Sequence, residues 1–158
     1  MDPQSKTLSW QEWKRDELRI EEKADLARAV QARRNAYGKY SNYTVGAVIR
    51  MNDDKIYEGW NAENIVHASL HAEESAIARI VAKSRETGLQ RIVVVGGLAG
   101  VNSDEICSPC GSCRQKLFEL LMEGDSPDLI MAGTRGNVTI VAFKDMLPFP
   151  FYPELSAK

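Results

Sequence analysis

The chain has 158 residues, 44% hydrophobic and 27% charged, with a formal net charge of −2. That length suits one domain with a real core and would cramp two. The charge lacks the basic footprint of a polynucleotide binder, and no apolar run approaches the roughly 18 residues of a membrane span, so a small ligand and a cytoplasmic setting are expected.

Residues 1–20 read as an extension, helical in expectation, with Trp10, Trp13, Leu18 and Ile20 set among charges. From 21 to 37, Ala24, Ala27, Val30 and Ala36 recur at helical spacing, which predicts an amphipathic helix. Residues 43–51 predict a strand, Asn52-Asp53-Asp54 a hairpin turn, and 56–61 its antiparallel partner. Leu70, Ile77, Ile80 and Val81, with alanines between, predict a helix closed by Gly88. Residues 91–95 then read as a buried strand, completing a β–α–β step. The stretch 96–108, with its three glycines, reads as a flexible loop, since it lacks a phosphate-binding glycine pattern. A helix over 111–122 and strands over 128–132 and 138–143 follow. Pro148, Pro150 and Pro153 make 148–158 a non-helical, docked tail. The acidic run from Asp16 to Glu22 reads as a solvated face, and Met122, Met131 and Met146 as core fillers.

Three cysteines, Cys107, Cys110 and Cys113, are too tightly spaced for a disulfide framework, and metal ligation explains them better. With His71, Cys110 and Cys113 supply one imidazole and two thiolates, a donor set for zinc that leaves a fourth position where a water can be ionised. Glu73, two residues from the His, stays unliganded and free to carry protons. Pro109 suits the start of a helix, so both ligand segments fall at predicted helix N-termini, where backbone N–H groups and the dipole favour thiolate. A closed Cys3His shell that includes Cys107 is the non-enzymatic alternative; outside that alternative Cys107 reads as a loop thiol. His67 reads as an ordinary surface histidine.

The pattern His71-x-Glu73 followed by Pro109-Cys110-x-x-Cys113 resembles the signature of zinc nucleobase deaminases. The resemblance extends to Tyr40-Ser41-Asn42-Tyr43-Thr44-Val45-Gly46-Ala47, to Asn61-Ala62-Glu63-Asn64 and to Ser108 through Gln115, which together are similar to the motifs of the cytidine deaminase family over most of 21–151. It implies an α/β fold, a three-layer α/β/α sandwich around a five-stranded mixed sheet, with residues 21–147 as one deaminase domain. It further implies one Zn2+ per subunit on His71, Cys110 and Cys113, with Glu73 as the proton carrier. Asn61 and Glu63 would grip the sugar, and Tyr43 and Ala72 would line the base pocket. The family's members are homo-oligomers, dimers or tetramers, so the tail with Phe149 and Phe151 is expected at a subunit interface or packed locally.

The chain departs from the small members of that family at three places. His71-Ala72-Glu73-Glu74 stands where they have Cys-Ala-Glu-Arg, which leaves the zinc shell neutral and makes Glu74 tolerable. The loop from Asn64 to His71 is slightly short, and Trp60 replaces a small residue, both bearing on pocket shape. The residues flanking the signature look like the nucleoside branch, and Glu63 would repel a 5′-phosphate. The expected reaction is hydrolytic deamination of cytidine or deoxycytidine with release of ammonia. A modified cytosine nucleoside, such as blasticidin S or an N4-substituted cytidine, is the alternative substrate.

Overall fold

A computed structural model describes residues 8–66, 68–83 and 88–151. In chain order the elements are β1 (Gln11–Lys14), α1 (Ile20–Arg33), β2 (Tyr43–Met51), β3 (Ile56–Trp60), α2 (Ala72–Lys83), β4 (Leu89–Leu98), α3 (Gly111–Phe118), β5 (Asp128–Ala132) and β6 (Asn137–Ala142). One sheet runs in the order β1-β6-β5-β4-β2-β3. Only β4 and β5 pair in parallel; the other neighbours are antiparallel.

The sheet is mixed, as expected, but has six strands among the described residues and not five. The extra strand is β1, which lies along β6 with Gln11 opposite Ile140 and Lys14 opposite Asn137. All four of its side chains are exposed. It therefore buries no face and leaves no hydrophobic alternation to read; it pairs the backbone groups that an edge strand would otherwise leave open. The described part of 1–20 is thus a strand followed by a 3-10 turn at Arg15–Glu17, in place of the expected helix. Leu18 then anchors the chain in the core.

Successive residues of the central strands face opposite layers, as a pleated strand requires. Val48, Val93, Val95 and Ile130 pack with Leu26 and Ala29 of α1. Ile49, Ile92, Val94 and Leu129 pack on the other face with Ala76 and Ile80 of α2 and Leu117 of α3. The result is the expected three layers. β3 and β4 both run antiparallel to β2 from either side, so they are parallel to each other, and α2 is the crossover between them. This places the carboxyl ends of β3 and β4, and the start of β2, at one end of the sheet.

Several predicted boundaries move. α1 starts at Ile20, where Glu22 accepts from the Arg19 amide at 2.8 Å; Glu22 is buried, so the acidic run is not wholly a solvated face. The helix stops at Arg33, short of Tyr37, because Tyr37 turns to bridge Ala62, its amide donating to the Asn61 carbonyl at 2.9 Å. Gly96 and Gly97 belong to β4 rather than to a flexible loop, paired with Val45 and Thr44. α3 ends at Phe118; Met122 is 48% exposed and fills no core, whereas Met131, 6% exposed, lies in the core and Met146 packs against it half-buried.

At the sheet end away from β2's start, α1 is tied down by charge. Asp25, fully buried on α1, accepts from Arg50 at 2.9 Å and from Arg91 at 2.8 Å, the two arginines facing each other across β2 and β4. In the tail, the Phe151 amide donates to Gln115 at 2.9 Å and its carbonyl accepts from Gln115 at 2.7 Å. The described part of the tail, 148–151, is docked through its backbone, leaving the Phe149 and Phe151 rings exposed; Pro153 and the rest of 152–158 lie outside the described residues. No helix among the described residues is long and apolar enough to cross a membrane.

Candidate metal centre and cavity

Two helix starts meet at the end of the sheet defined by β3 and β4. His71 caps α2: its carbonyl accepts from the Ser75 amide at 3.0 Å. The chain reaches it through a loop pinned by paired Ala62 and Leu70 backbones, 2.9 Å in both directions. Within that loop the Asn64 side-chain oxygen Oδ1 accepts from the Val66 and Ala68 amides, each at 3.1 Å; His67 lies outside the described residues. Cys110 caps α3, its sulfur accepting from the Cys113 amide at 3.5 Å. Arg114 braces the approach, donating to the Pro109 carbonyl and the Ser108 hydroxyl, both at 2.9 Å. His71 and Cys110 therefore sit one residue before the helices, at N-cap positions, where the unpaired N–H groups of the first turn collect.

His71, Cys110 and Cys113 form a group whose donor atoms all lie within 4.8 Å of one another. His71 Nδ1 is 3.4 Å from Cys110 Sγ and 3.3 Å from Cys113 Sγ. A tetrahedral zinc with its usual bond lengths separates nitrogen and sulfur ligands by about 3.6 Å, so the spacing fits that ion. Burial, and next the charge of Glu73, push the Cys113 thiol upward in pKa. A divalent cation between the sulfurs reverses that preference, since coordinating thiols lose their protons. Cys107 is not part of the cluster, which removes the fourth ligand of a closed Cys3His shell.

Beside the cluster lies a cavity of about 460 Å3, lined among others by Tyr43, Asn61, Glu63, His71, Ala72, Glu73 and Cys110. Of the metal-ligand, proton-carrying and substrate-binding residues expected from the sequence, Cys113 alone stands outside the lining, and it is fully buried. Glu73 is 4% exposed. Burial raises its pKa, with the Cys113 thiol within hydrogen-bonding reach of its carboxyl. Glu63 is held by the loop that precedes β2, accepting from the Tyr40 amide at 2.6 Å, the Ser41 amide at 3.1 Å and the Ser41 hydroxyl. Asn61 extends the hairpin pairing with its side chain, accepting from the Val45 amide at 2.7 Å and donating to the Tyr43 carbonyl at 3.0 Å.

Sequence reasoning passed over Ser41, Ser69 and Ile106, which also line the cavity; only Ser41 lay within a quoted motif. Cys107, which the sequence offers as a loop thiol, is buried, lines the cavity and interacts with the Tyr43 hydroxyl. Burial, then the neighbouring cysteine, pushes Tyr43 up to about 12. A side chain on Gly96 would stand 2.6 Å from Cys107 Sγ, so the glycine makes room for it. Trp60 does not line the cavity; Arg79 stacks over its ring at 4.5 Å.

Residues 20–123 match the family model described as the cytidine and deoxycytidylate deaminase zinc-binding region. Cytidine deaminase 7 of Arabidopsis thaliana is 33% identical over 124 residues, 75% of this chain and 38% of the plant protein. The chain thus spans well under half of that relative. Cytidine deaminase of Sporosarcina psychrophila is 30% identical over 130 residues, 82% of this chain and 90% of the bacterial one. The crystal structure of cytidine deaminase from Burkholderia pseudomallei superposes with a TM-score of 0.71 at 32% identity, covering 85% of this chain and 100% of that one.

Proposed function

Because this chain belongs to the family of zinc-dependent cytidine and deoxycytidylate deaminases, we propose that it deaminates a free cytosine nucleoside, turning cytidine or deoxycytidine into uridine or deoxyuridine and ammonia. The observation that carries the reading is a single cavity wall in which the unliganded, buried Glu73 adjoins the His71–Cys110–Cys113 cluster. His71 Nδ1 and the two sulfurs would hold the zinc, which when bound would supply the Lewis acidity that lets a water ionise near neutral pH. Glu73 takes the proton of the attacking water and delivers it to N3 of the pyrimidine as the C4–O bond forms. It then moves a second proton from the new hydroxyl to the amino group, which leaves as ammonia when the C4–N bond breaks. A carboxyl whose pKa is raised by burial suits both tasks, because it binds the proton firmly and still releases it.

Glu63 offers the sugar an oxygen already oriented by Tyr40 and Ser41. Asn61, although paired with β2, keeps one N–H and one lone pair for a hydroxyl. Tyr43 and Ala72 flank the base. Binding energy at the sugar is thereby converted into orientation of C4. The reading includes one zinc per subunit, a cytoplasmic setting and a homo-oligomer, dimer or tetramer.

A modified cytosine nucleoside is the second reading, favoured by the polar Tyr43–Cys107 pair in the cavity wall. Ammonia release from cytidine, deoxycytidine, deoxycytidylate, an N4-substituted cytidine and blasticidin S, compared as kcat/KM, separates the readings. Cytidine and deoxycytidine are expected to lead. Zinc-loaded protein inactive on every compound would overturn the proposal.

A further inference from the structure

The two helices that bring the metal-capable side chains together are also joined outside the ligand set. Glu74, in the first turn of α2, accepts from the His71 amide at 2.9 Å through one carboxylate oxygen. Its other oxygen receives the ammonium of Lys116. Lys116 follows Cys113 by three residues on α3 and so shares its side of that helix. One carboxylate is thus bound both to the backbone of the imidazole ligand and to the helix that carries both sulfurs. The Glu74 side chain is 20% exposed and that of Lys116 46%. Neither lines the cavity.

The contact has an electrostatic side. The ammonium of Lys116 is favoured first by Glu74 and further by the nearby Cys113 and Cys110.

We propose that Glu74 and Lys116 form a strap that holds the His71 side and the cysteine side of the centre at ligand spacing, and thereby sets how slowly zinc leaves. This rests on the zinc-site reading. Both are positioning residues, acting through the ligands. An exposed ion pair of purely structural effect would change folding slightly and leave metal exchange alone. A partner that orients a ligand acts on the metal, typically by 10- to 100-fold in affinity.

The test is the rate of zinc release into a chromophoric chelator, measured on the full chain alongside urea unfolding of the metal-free protein. The variants are Glu74→Gln, which keeps an acceptor for the His71 amide but loses the charge, Lys116→Met, their double, and Lys116→Arg. Each of the first two is expected to release zinc about ten-fold faster, the double no faster than either, and Lys116→Arg close to the parent chain. Unchanged release, or effects that multiply in the double, would overturn the strap. So would faster release matched by a proportionate loss of metal-free stability. A parent chain that takes up no zinc would overturn the metal-site reading itself, a result distinct from all of these.

Discussion

One of the tight helix-on-strand approaches in the fold offers a sharp perturbation. α2 lies so close to β3 that a Cβ on Gly59 would stand 2.1 Å from the Ala72 carbonyl oxygen and 2.6 Å from the Ala76 amide nitrogen. Both are backbone atoms, so no flexible side chain can yield. Reaching ordinary contact requires the first turn of α2 to retreat by about 1.3 Å in a close-packed interior. Ala72 is flanked by His71 and Glu73, so the retreat carries the imidazole and the proton carrier with it. Gly59→Ala should cost about 1–3 kcal/mol of stability as an overpacked site. A displacement of that size should lower turnover by roughly 100-fold. Urea unfolding and ammonia release from cytidine measure the two effects, with Gly111→Ala as control, since nothing lies within 4 Å of a Cβ at that glycine. Parent-like stability and turnover in Gly59→Ala would refute the argument that this contact sets the position of the site.

Two further perturbations test the packing. Asp25→Ala leaves Arg50 and Arg91 without the carboxylate they share, and should cost about 3–5 kcal/mol in urea unfolding, whereas a loss below about 1 kcal/mol would contradict a buried, coupled cluster. Burial raises Cys107 from 9.0 to about 11, so the unfolded thiol ionises first and stability declines as pH rises through that interval. The decline from this group should reach roughly 2 kcal/mol, read from urea midpoints, and Cys107→Ala should remove it; an unchanged slope in that variant would contradict the assignment.

The parts of the molecule legible in the sequence are those whose chemistry is local. Ligand types and spacing announce themselves at His71, Cys110 and Cys113, and the branched run of β4 marks a strand buried on both faces. β1 was illegible because its four side chains are all exposed and its cause lies on β6, more than a hundred residues away in the chain. The end of α1 was misjudged for a similar reason, since Tyr37 leaves helical spacing to meet Ala62. Glu74 looked merely tolerable beside Glu73, and its contact with Lys116 needs the two helices docked before it exists. Cys107 reads locally as a loop thiol, because the Tyr43 hydroxyl beside it and the space left by Gly96 exist only once β2 and β4 are paired.

In the proposed mechanism Glu73 moves protons beside a zinc held by three other side chains. Zinc content and ammonia release from cytidine in Glu73→Gln, measured beside the parent chain, test that role most directly. Parent-level zinc with turnover reduced by at least about 100-fold is the predicted result, the scale of a lost general acid–base group. Parent-level zinc with near-normal turnover would contradict the claim.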